Sequence, residues 1–469
     1  MEYKLNPIEI PTENPLQNDV LDREDSIDAM ANLLDEVSGP FVLAINSPWG
    51  MGKTTFVNML RQHLENQGFS CMYFDAWKSD YTTDPLVSFV AELGRVCEAK
   101  SGNEKAYKEV YSKTKKIVTI LAKKILPIAG KLATHGLLDL SDVVENNVSE
   151  LVANTISDSV DAYRAEMKLV DEFHDTIKAT IQFAPGSKGK MIIFIDELDR
   201  CRPSYAIELL ERVKHLFDVE NVIFVLSIDK EQLSVSLTSL YGSGLNSIEY
   251  LRRFIDLEYL LPTPSSEQFT DSLFNRYGFE EYFSQKTGEG RADKHQLIET
   301  FNQMSQIFTL SLRAREQCFS MLRVIFLITP PNYFLYPRFL IPLIIMKSVS
   351  SEAYPKFIFG EGKAADILEL LRTSPLGKDY VESPDGAVFE AFLILCKKGE
   401  YRGEPAELVQ YAKVVKEGQK GEITKYSNEE VERAKRILRL TGELRYSDTY
   451  PSLDYIGSKL EIAGHFSRS

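Results

Sequence analysis

The chain has no paired cysteines, no cluster of histidines, no long unbroken apolar run and no excess of positive charge. Its five cysteines, Cys71, Cys97, Cys201, Cys318 and Cys396, are scattered and form no Cys-x-x-Cys pair. Neither a disulfide framework nor a cysteine zinc site is therefore expected, and reduced thiols in the cytoplasm fit best. The six histidines show no metal-ligand spacing. A net charge of −14 argues against nucleic-acid binding by the whole surface and leaves only a local basic groove open. The opening Met-Glu-Tyr-Lys-Leu-Asn-Pro has no apolar h-region, so no secretory signal is expected.

Two stretches invite a membrane reading. Lys116–Leu140 carries Lys123, Lys124 and Lys131, and Leu322–Met346 is broken by Pro330, Pro331, Asn332, Pro337, Arg338 and Pro342. Neither offers the ~20 uninterrupted apolar residues of a spanning helix, so both read as amphipathic or core helices. Membrane association stays open as a partner class, without a spanning segment to support it. With 469 residues, 44% of them apolar and 26% charged, the composition is that of two or three globular domains.

What is present is organised around Phe41–Phe56. Phe41–Ile45 is a buried apolar run, Ser47-Pro48-Trp49-Gly50-Met51-Gly52 a tight loop, and Lys53-Thr54-Thr55 the opening of a helix whose apolar pattern starts at Phe56. Strand, loop and helix match G-x-x-x-x-G-K-[ST], with Ser47 in place of the first glycine. Gly50 and Gly52 allow the backbone N–H groups to converge on one anion. Lys53 brings charge to the outer phosphates, Thr54 offers a hydroxyl to Mg2+, and the helix dipole adds to the same effect. This stretch, Ser47 to Thr55, is read as the phosphate-binding loop.

Further strands are expected at Ser70–Asp75, Met191–Ile195, Asn221–Asp229 and Leu257–Leu261. Asp196-Glu197 closes the second of these, and there Asp196 is suited to hold the magnesium water shell and Glu197 to deprotonate an attacking water. Ser227 and Asp229, with Asp229 preferred, are the candidates for a polar sensor of the γ-phosphate. Residues 85–180 read as helix, with an insertion at about 100–180 whose alternating charge suits a solvated arm or a partner surface. Residues 1–20 read as an extended segment, 21–265 as the nucleotide-binding domain and 266–469 as an all-helical domain. Lys416–Gly421 reads as a linker, and Ser427-x-x-Glu430 as a capping box for helix Val431–Leu440. No Asn-Lys-x-Asp box appears at the strand ends, so ATP is favoured over GTP.

Four boxes fall in order: Trp49-Gly50-x-Gly52-Lys53-Thr54, Phe74-Asp75-Ala76-Trp77, Asp196-Glu197-Leu198-Asp199-Arg200-Cys201-x-Pro203 and Tyr250-Leu251-Arg252-Arg253-Phe254-Ile255-Asp256. Together they resemble the KAP family of P-loop NTPases over roughly residues 15–265. The resemblance implies an α/β fold, a parallel sheet of the additional-strand, catalytic-glutamate type related to AAA+ and signalling NTPases. It also implies a helical insertion between the two nucleotide-binding motifs. By similarity to AAA+ proteins, Arg252 or Arg253 would act as an arginine finger in a neighbouring subunit of an ATP-dependent homo-oligomer, and Arg313 as a nucleotide sensor from the second domain. The family includes bacterial proteins linked to phage exclusion and animal signalling scaffolds. Two functions follow: an ATP-hydrolysing switch or motor, or a nucleotide-binding scaffold with negligible turnover. In either, a protein partner is expected at the insertion or the C-terminal domain.

Overall fold

A computed structural model of the protein describes residues 6–82, 84–100, 104–125, 159–183, 188–216, 218–263, 266–284, 290–330, 336–350, 352–396, 404–418, 426–445 and 453–465. Two compact units divide the chain: Ile8–Thr263, and Pro264–Ser469 with Met1–Pro7.

The first unit is built on five parallel strands, β1 (Phe41–Asn46), β2 (Ser70–Asp75), β3 (Met191–Asp196), β4 (Val222–Ile228) and β5 (Leu257–Leu260), in the order β2-β3-β4-β1-β5. The apolar runs form central strands because both faces of a parallel sheet are covered. Every residue of β3 and β4 is buried. Alternate side chains serve opposite faces. Leu43, Ile45, Ile192, Phe194, Ile223 and Val225 pack with helices α1 (Glu24–Glu36) and α2 (Lys53–Asn66). Val42, Ala44, Ile193, Ile195, Phe224 and Leu226 share the other core with α4 (Pro85–Lys100), α5 (Glu104–Ile125), α6 (Ser159–Ile181) and α7 (Pro203–Leu216). A one-turn α3 (Ala76–Ser79) follows β2, and α8 (Lys230–Tyr241) and α9 (Ser247–Leu251) lie between β4 and β5.

The expected strands are therefore present, each to within two residues of its reading. The helix after the loop opens at Lys53, and its buried apolar side begins at Phe56, Val57, Met59 and Leu60. Residues 6–20 are not simply extended: they carry a turn, and Ile8, Ile10 and Leu16 pack half-buried on the α1–α2 core. In the helical insertion α5 packs on α6, with the buried Thr114 and Thr180 hydroxyls 3.2 Å apart. Residues 126–158, which include the end of the apolar stretch Lys116–Leu140, lie outside the described residues, as do the turn residues 184–187.

The second unit is all helical among the described residues. It comprises α10 (Ser266–Arg276), α11 (Phe279–Ser284), α12 (Gly290–Ile307), α13 (Leu312–Ile328), α14 (Pro337–Val349), α15 (Ala353–Ile358), α16 (Ala364–Arg372), α17 (Pro375–Glu382), α18 (Pro384–Leu395), α19 (Ala406–Gly418), α20 (Asn428–Arg445) and α21 (Leu453–His465). The apolar stretch Leu322–Met346 is two core helices, α13 and α14, separated around the expected proline break, of which 331–335 lie outside the described residues. Among the described residues no helix is long and apolar enough to cross a membrane. The Ser427 capping box forms, with Ser427 N donating to Glu430 Oε2 at 2.7 Å and Glu430 N to Ser427 Oγ at 3.2 Å. The expected linker is in part wrong: Lys416–Gly418 finish α19 because their turn continues its helical period, and 419–421 lie outside the described residues.

The start of β1 is held close to β4 at Gly39, where a Cβ would stand 2.3 Å from the Val222 carbonyl oxygen. Backbone cannot swing aside as a side chain can. Gly39→Ala is expected to destabilise this unit by about 1–3 kcal/mol, the usual cost of overpacking, read as a lower denaturant midpoint for loss of the sheet.

Candidate functional site

The register of the sheet brings the site together. Asp75 pairs with Asp196, Asp196 with Ser227, and Ser227 with Ile45, so four strands end level. The loop Ser47–Gly52 springs from the end of β1. Gly50 (φ 79°) and Gly52 (φ 81°) take the left-handed conformation that only glycine adopts without strain. Gly52 precedes α2 and supplies no side-chain cap, so the first helical N–H groups face the loop without one. This is the geometry of an anion cradle at a helix start.

Lys53 is buried and curls back over the loop, donating to the carbonyl oxygens of Ser47 and, at 3.2 Å, Pro48. Burial pushes its ammonium below the usual lysine value, against the upward pull of Asp199, Asp229, Asp196 and Glu197. Thr54 is exposed, and its Oγ1 donates to Glu197 Oε1 at 3.3 Å. Asp196 is 1% exposed, and its two oxygens accept from the Glu197 N–H at 2.9 Å and the Tyr73 hydroxyl at 2.9 Å. Burial, and then the Asp196 charge, raise the Tyr73 phenol and keep it a donor. Glu197 is half-buried in a left-handed turn (φ 61°), with Oε2 on the guanidinium Nε of Arg200. Burial raises its carboxyl and the Arg200 charge opposes the rise.

Two further acids reach the loop. Asp199 is buried and accepts the indole N–H of Trp49; burial raises its carboxyl, while the Trp49 bond and Lys53 lower it. Asp229 caps α8 through the Gln232 N–H at 3.2 Å and accepts the backbone N–H of Trp49 at 3.1 Å. The preferred sensor thus touches the loop directly. Ser227, the other candidate, is fully buried beside Asp196 in register, and its hydroxyl has no hydrogen-bond partner among the described residues.

Reading the sequence did not reveal several of these contacts. Arg23, 4% exposed, donates to the carbonyl oxygens of Met51 at 2.8 Å and Gly52 at 3.0 Å, and lies 5.6 Å from the Phe56 ring centre. Burial pushes its guanidinium down to about 10. Asn46 links β1 to Glu258 (2.8 Å) and to the Lys230 N–H (3.0 Å), and Lys230 completes the ring by pairing with Glu258. Burial pushes the Glu258 carboxyl up, but the bonds from Lys230 and Asn46 outweigh it and hold the group below its ordinary value. The only signal in the sequence for Arg23 was its place just before α1.

Arg252 and Arg253, expected as the finger, make their ion-pair and ring contacts within their own segment. Arg252 is exposed and paired with Glu249 at 2.5 Å, and Arg253 lies over the Tyr250 ring at 5.6 Å. Asp256, just after them, is level with Val42 near the start of β1: its N–H donates to the Val42 carbonyl at 3.0 Å. Arg313, in the second unit, lies exposed in the first turn of α13, which Ser311 caps through the Ala314 N–H at 3.2 Å. Its neighbour Arg315 is the buried one, and its Nε donates to the Leu310 carbonyl at 3.2 Å.

The KAP family P-loop domain matches residues 23–326. The chain belongs to the KAP family. The match begins at Arg23 and runs past the expected limit of 265, through α10–α12 and most of α13. The KAP chain is 29% identical over 174 residues to an uncharacterized protein of Methanocaldococcus jannaschii, covering 33% of this chain and 88% of that one. It is 22% identical over 233 residues to the phage T7 exclusion protein of Escherichia coli, covering 48% of this chain and 30% of that protein. Membership makes this a P-loop NTPase-family fold, and such domains generally bind nucleotide with magnesium.

The KAP site fits that pair of ligands on its own geometry. Left-handed glycines and an uncapped helix start suit phosphate, and the Thr54 hydroxyl and Asp196 carboxylate are hard oxygen donors. Among the described residues no three His, Cys, Asp or Glu side chains converge as a metal site. Magnesium asks for fewer, one or two protein oxygens beside phosphate and water.

Arg23→Met would leave the Met51 and Gly52 carbonyls without their donor. It is expected to cost about 1–3 kcal/mol in stability and to weaken nucleotide binding through a loosened loop. Thermal unfolding and nucleotide titration of the same variant check both.

Proposed function

We propose that the protein is an ATP-hydrolysing switch or motor of the cytoplasm, with a role in bacterial anti-phage defence. The observation that carries the hydrolytic reading is the convergence of Lys53, Thr54, Asp196 and Glu197 at the carboxyl ends of β1 and β3. Loop N–H groups and Lys53 hold the β- and γ-phosphates. Thr54 and Asp196 hold magnesium, which when bound neutralises charge on the phosphate oxygens. Asp229, tied to Trp49, senses the γ-phosphate. Glu197 accepts a proton from water as the water oxygen bonds to the γ-phosphorus; the bond to the bridging oxygen breaks, and ADP and phosphate leave. ATP is favoured because no guanine-reading box is present. The defence role rests on the similarity to the phage T7 exclusion protein. A protein partner is proposed for the α5–α6 insertion or the helical second unit.

Lys53→Ala is expected to abolish ATP binding in a folded protein, measured by titration. Glu197→Gln is expected to keep ATP binding and lower turnover by a factor of ~10² or more, measured as phosphate release. Wild-type turnover in Glu197→Gln would move the base elsewhere.

The oligomeric state belongs to the same proposal: Arg252 or Arg253 completes the site of a second copy in an ATP-dependent homo-oligomer. Their exposure, with partners in their own segment, supports action in trans. Mixing an Arg252→Ala, Arg253→Ala protein with a Lys53→Ala protein should restore phosphate release that neither shows alone. No recovery, together with a monomeric mass in ATP, would sink this arrangement.

A further inference from the structure

The two oxygens of Glu197 are held unequally. Oε1 rests against the Thr54 hydroxyl at 3.3 Å, long for an O–H···O bond, whereas Oε2 makes a close ion pair with Arg200 Nε. The pairing has a local cause. Glu197 is left-handed, and Leu198–Arg200 forms a single tight turn, with Arg200 N donating to the Glu197 carbonyl at 3.1 Å. Side chains three residues apart in such a turn face one another, so the carboxylate and the guanidinium meet on one side.

Arg200 is itself braced from β2. Its guanidinium carbon lies 5.8 Å from the centre of the Trp77 ring, and Trp77 is 55% exposed. The short helix that carries Trp77 is fixed by Asp75, which accepts the Lys78 N–H at 3.0 Å. The loop beyond it is clamped by Arg202, which bonds Asp80 through its backbone N–H and its Nε, both at 2.9 Å. A lone exposed tryptophan is commonly a packing residue. Here it sits on the cation that grips a carboxylate of the site.

We propose that Arg200 is the positioning residue for Glu197: it fixes Oε2 so that Oε1 is the oxygen presented to water, and Trp77 fixes Arg200. The inference rests on the reading of Glu197 as the base. In the hydrolytic step the water proton goes to Oε1 while the water oxygen bonds to the γ-phosphorus and ADP departs. Arg200 keeps its own proton throughout and exchanges nothing. It acts through geometry, by preventing the carboxylate from rotating about its terminal bond, a broad and weakly restrained torsion.

The test compares Arg200→Met, Arg200→Lys, Trp77→Leu, Glu197→Gln and the double variant Glu197→Gln, Arg200→Met in steady-state phosphate release. Arg200→Met should lower kcat roughly 10- to 100-fold, the scale of a misplaced catalytic group, with KM and ATP affinity within about twofold of wild type. Arg200→Lys should recover part of the loss, and Trp77→Leu should lower kcat about threefold, the scale of one exposed cation–π contact. The double variant should be no slower than Glu197→Gln alone, since a positioning residue has nothing left to position. Wild-type or raised kcat in Arg200→Met, or losses that multiply in the double variant, would overturn the proposal. Hydrolysis that survives in Glu197→Gln overturns the base reading instead. Hydrolysis lost there but kept in Arg200→Met overturns only the role given to Arg200.

Discussion

The register of four parallel strands is the constraint on which the site depends. Side chains in β2, β3, β4 and β1 are mainly apolar along their length, and the polar groups Asp75, Asp196, Ser227 and Asn46 stand at or next to their carboxyl ends. Because Asp75, Asp196, Ser227 and Ile45 are level, the loop after β1 opens beside the acids that close β3. Slipping β3 by one residue would exchange its two buried faces and carry Asp196 away from Tyr73. The apolar core thus sets the position of the charged groups to within a residue.

Those groups are arranged with most of their capacity already used. One buried lysine stands among four acids, and burial outweighs their pull on its ammonium. Such a cluster is tolerable only if each carboxylate has donors of its own. Asp196 has Tyr73 and a backbone N–H, Asp199 has the Trp49 indole, and Asp229 has backbone N–H groups from Trp49 and Gln232. The loop is therefore braced by the residues that would meet the nucleotide, and Arg23 braces it from the other side through the Met51 and Gly52 carbonyls. A polar network so satisfied favours one loop conformation over the many that two glycines would otherwise permit.

Much of this was legible in the sequence because its signals are local. A run of four or five apolar residues ending in Asp-Glu is a buried strand with acids at its end, and Gly50-x-Gly52-Lys53-Thr54 is read by spacing alone. The Ser427–Glu430 capping box is likewise a four-residue pattern and formed as expected. The contacts of Arg23, Tyr73, Trp49 and Arg200 were not legible. Each joins residues from different segments or depends on a backbone turn, such as that at Glu197, which residue type does not announce. Lys416–Gly418 was misread because the two glycines and two lysines of Lys416–Gly421 look like a linker until α20 supplies Val431 for the end of α19 to pack on. The helical character of residues 266–469 was legible, but which helices pack together was not, since an apolar face fits many others.

Three acids in five residues, Asp196-Glu197-Leu198-Asp199-Arg200, are told apart by surroundings and not by chemistry. Asp196 is almost wholly buried and keeps both oxygens bonded to fixed donors, which suits a rigid anchor and not a group that must take and release a proton. Asp199 is also buried, and the indole of Trp49 holds its carboxylate against the loop. Glu197 alone is only partly buried, on a longer side chain, with one oxygen paired with Arg200 and the other only loosely engaged. Burial raises its carboxyl while the neighbouring guanidinium restrains the rise, so it is made more basic without losing its charge partner. A general base needs reach, a loosely engaged oxygen and raised basicity, and on these grounds the proposed hydrolysis assigns that role to Glu197.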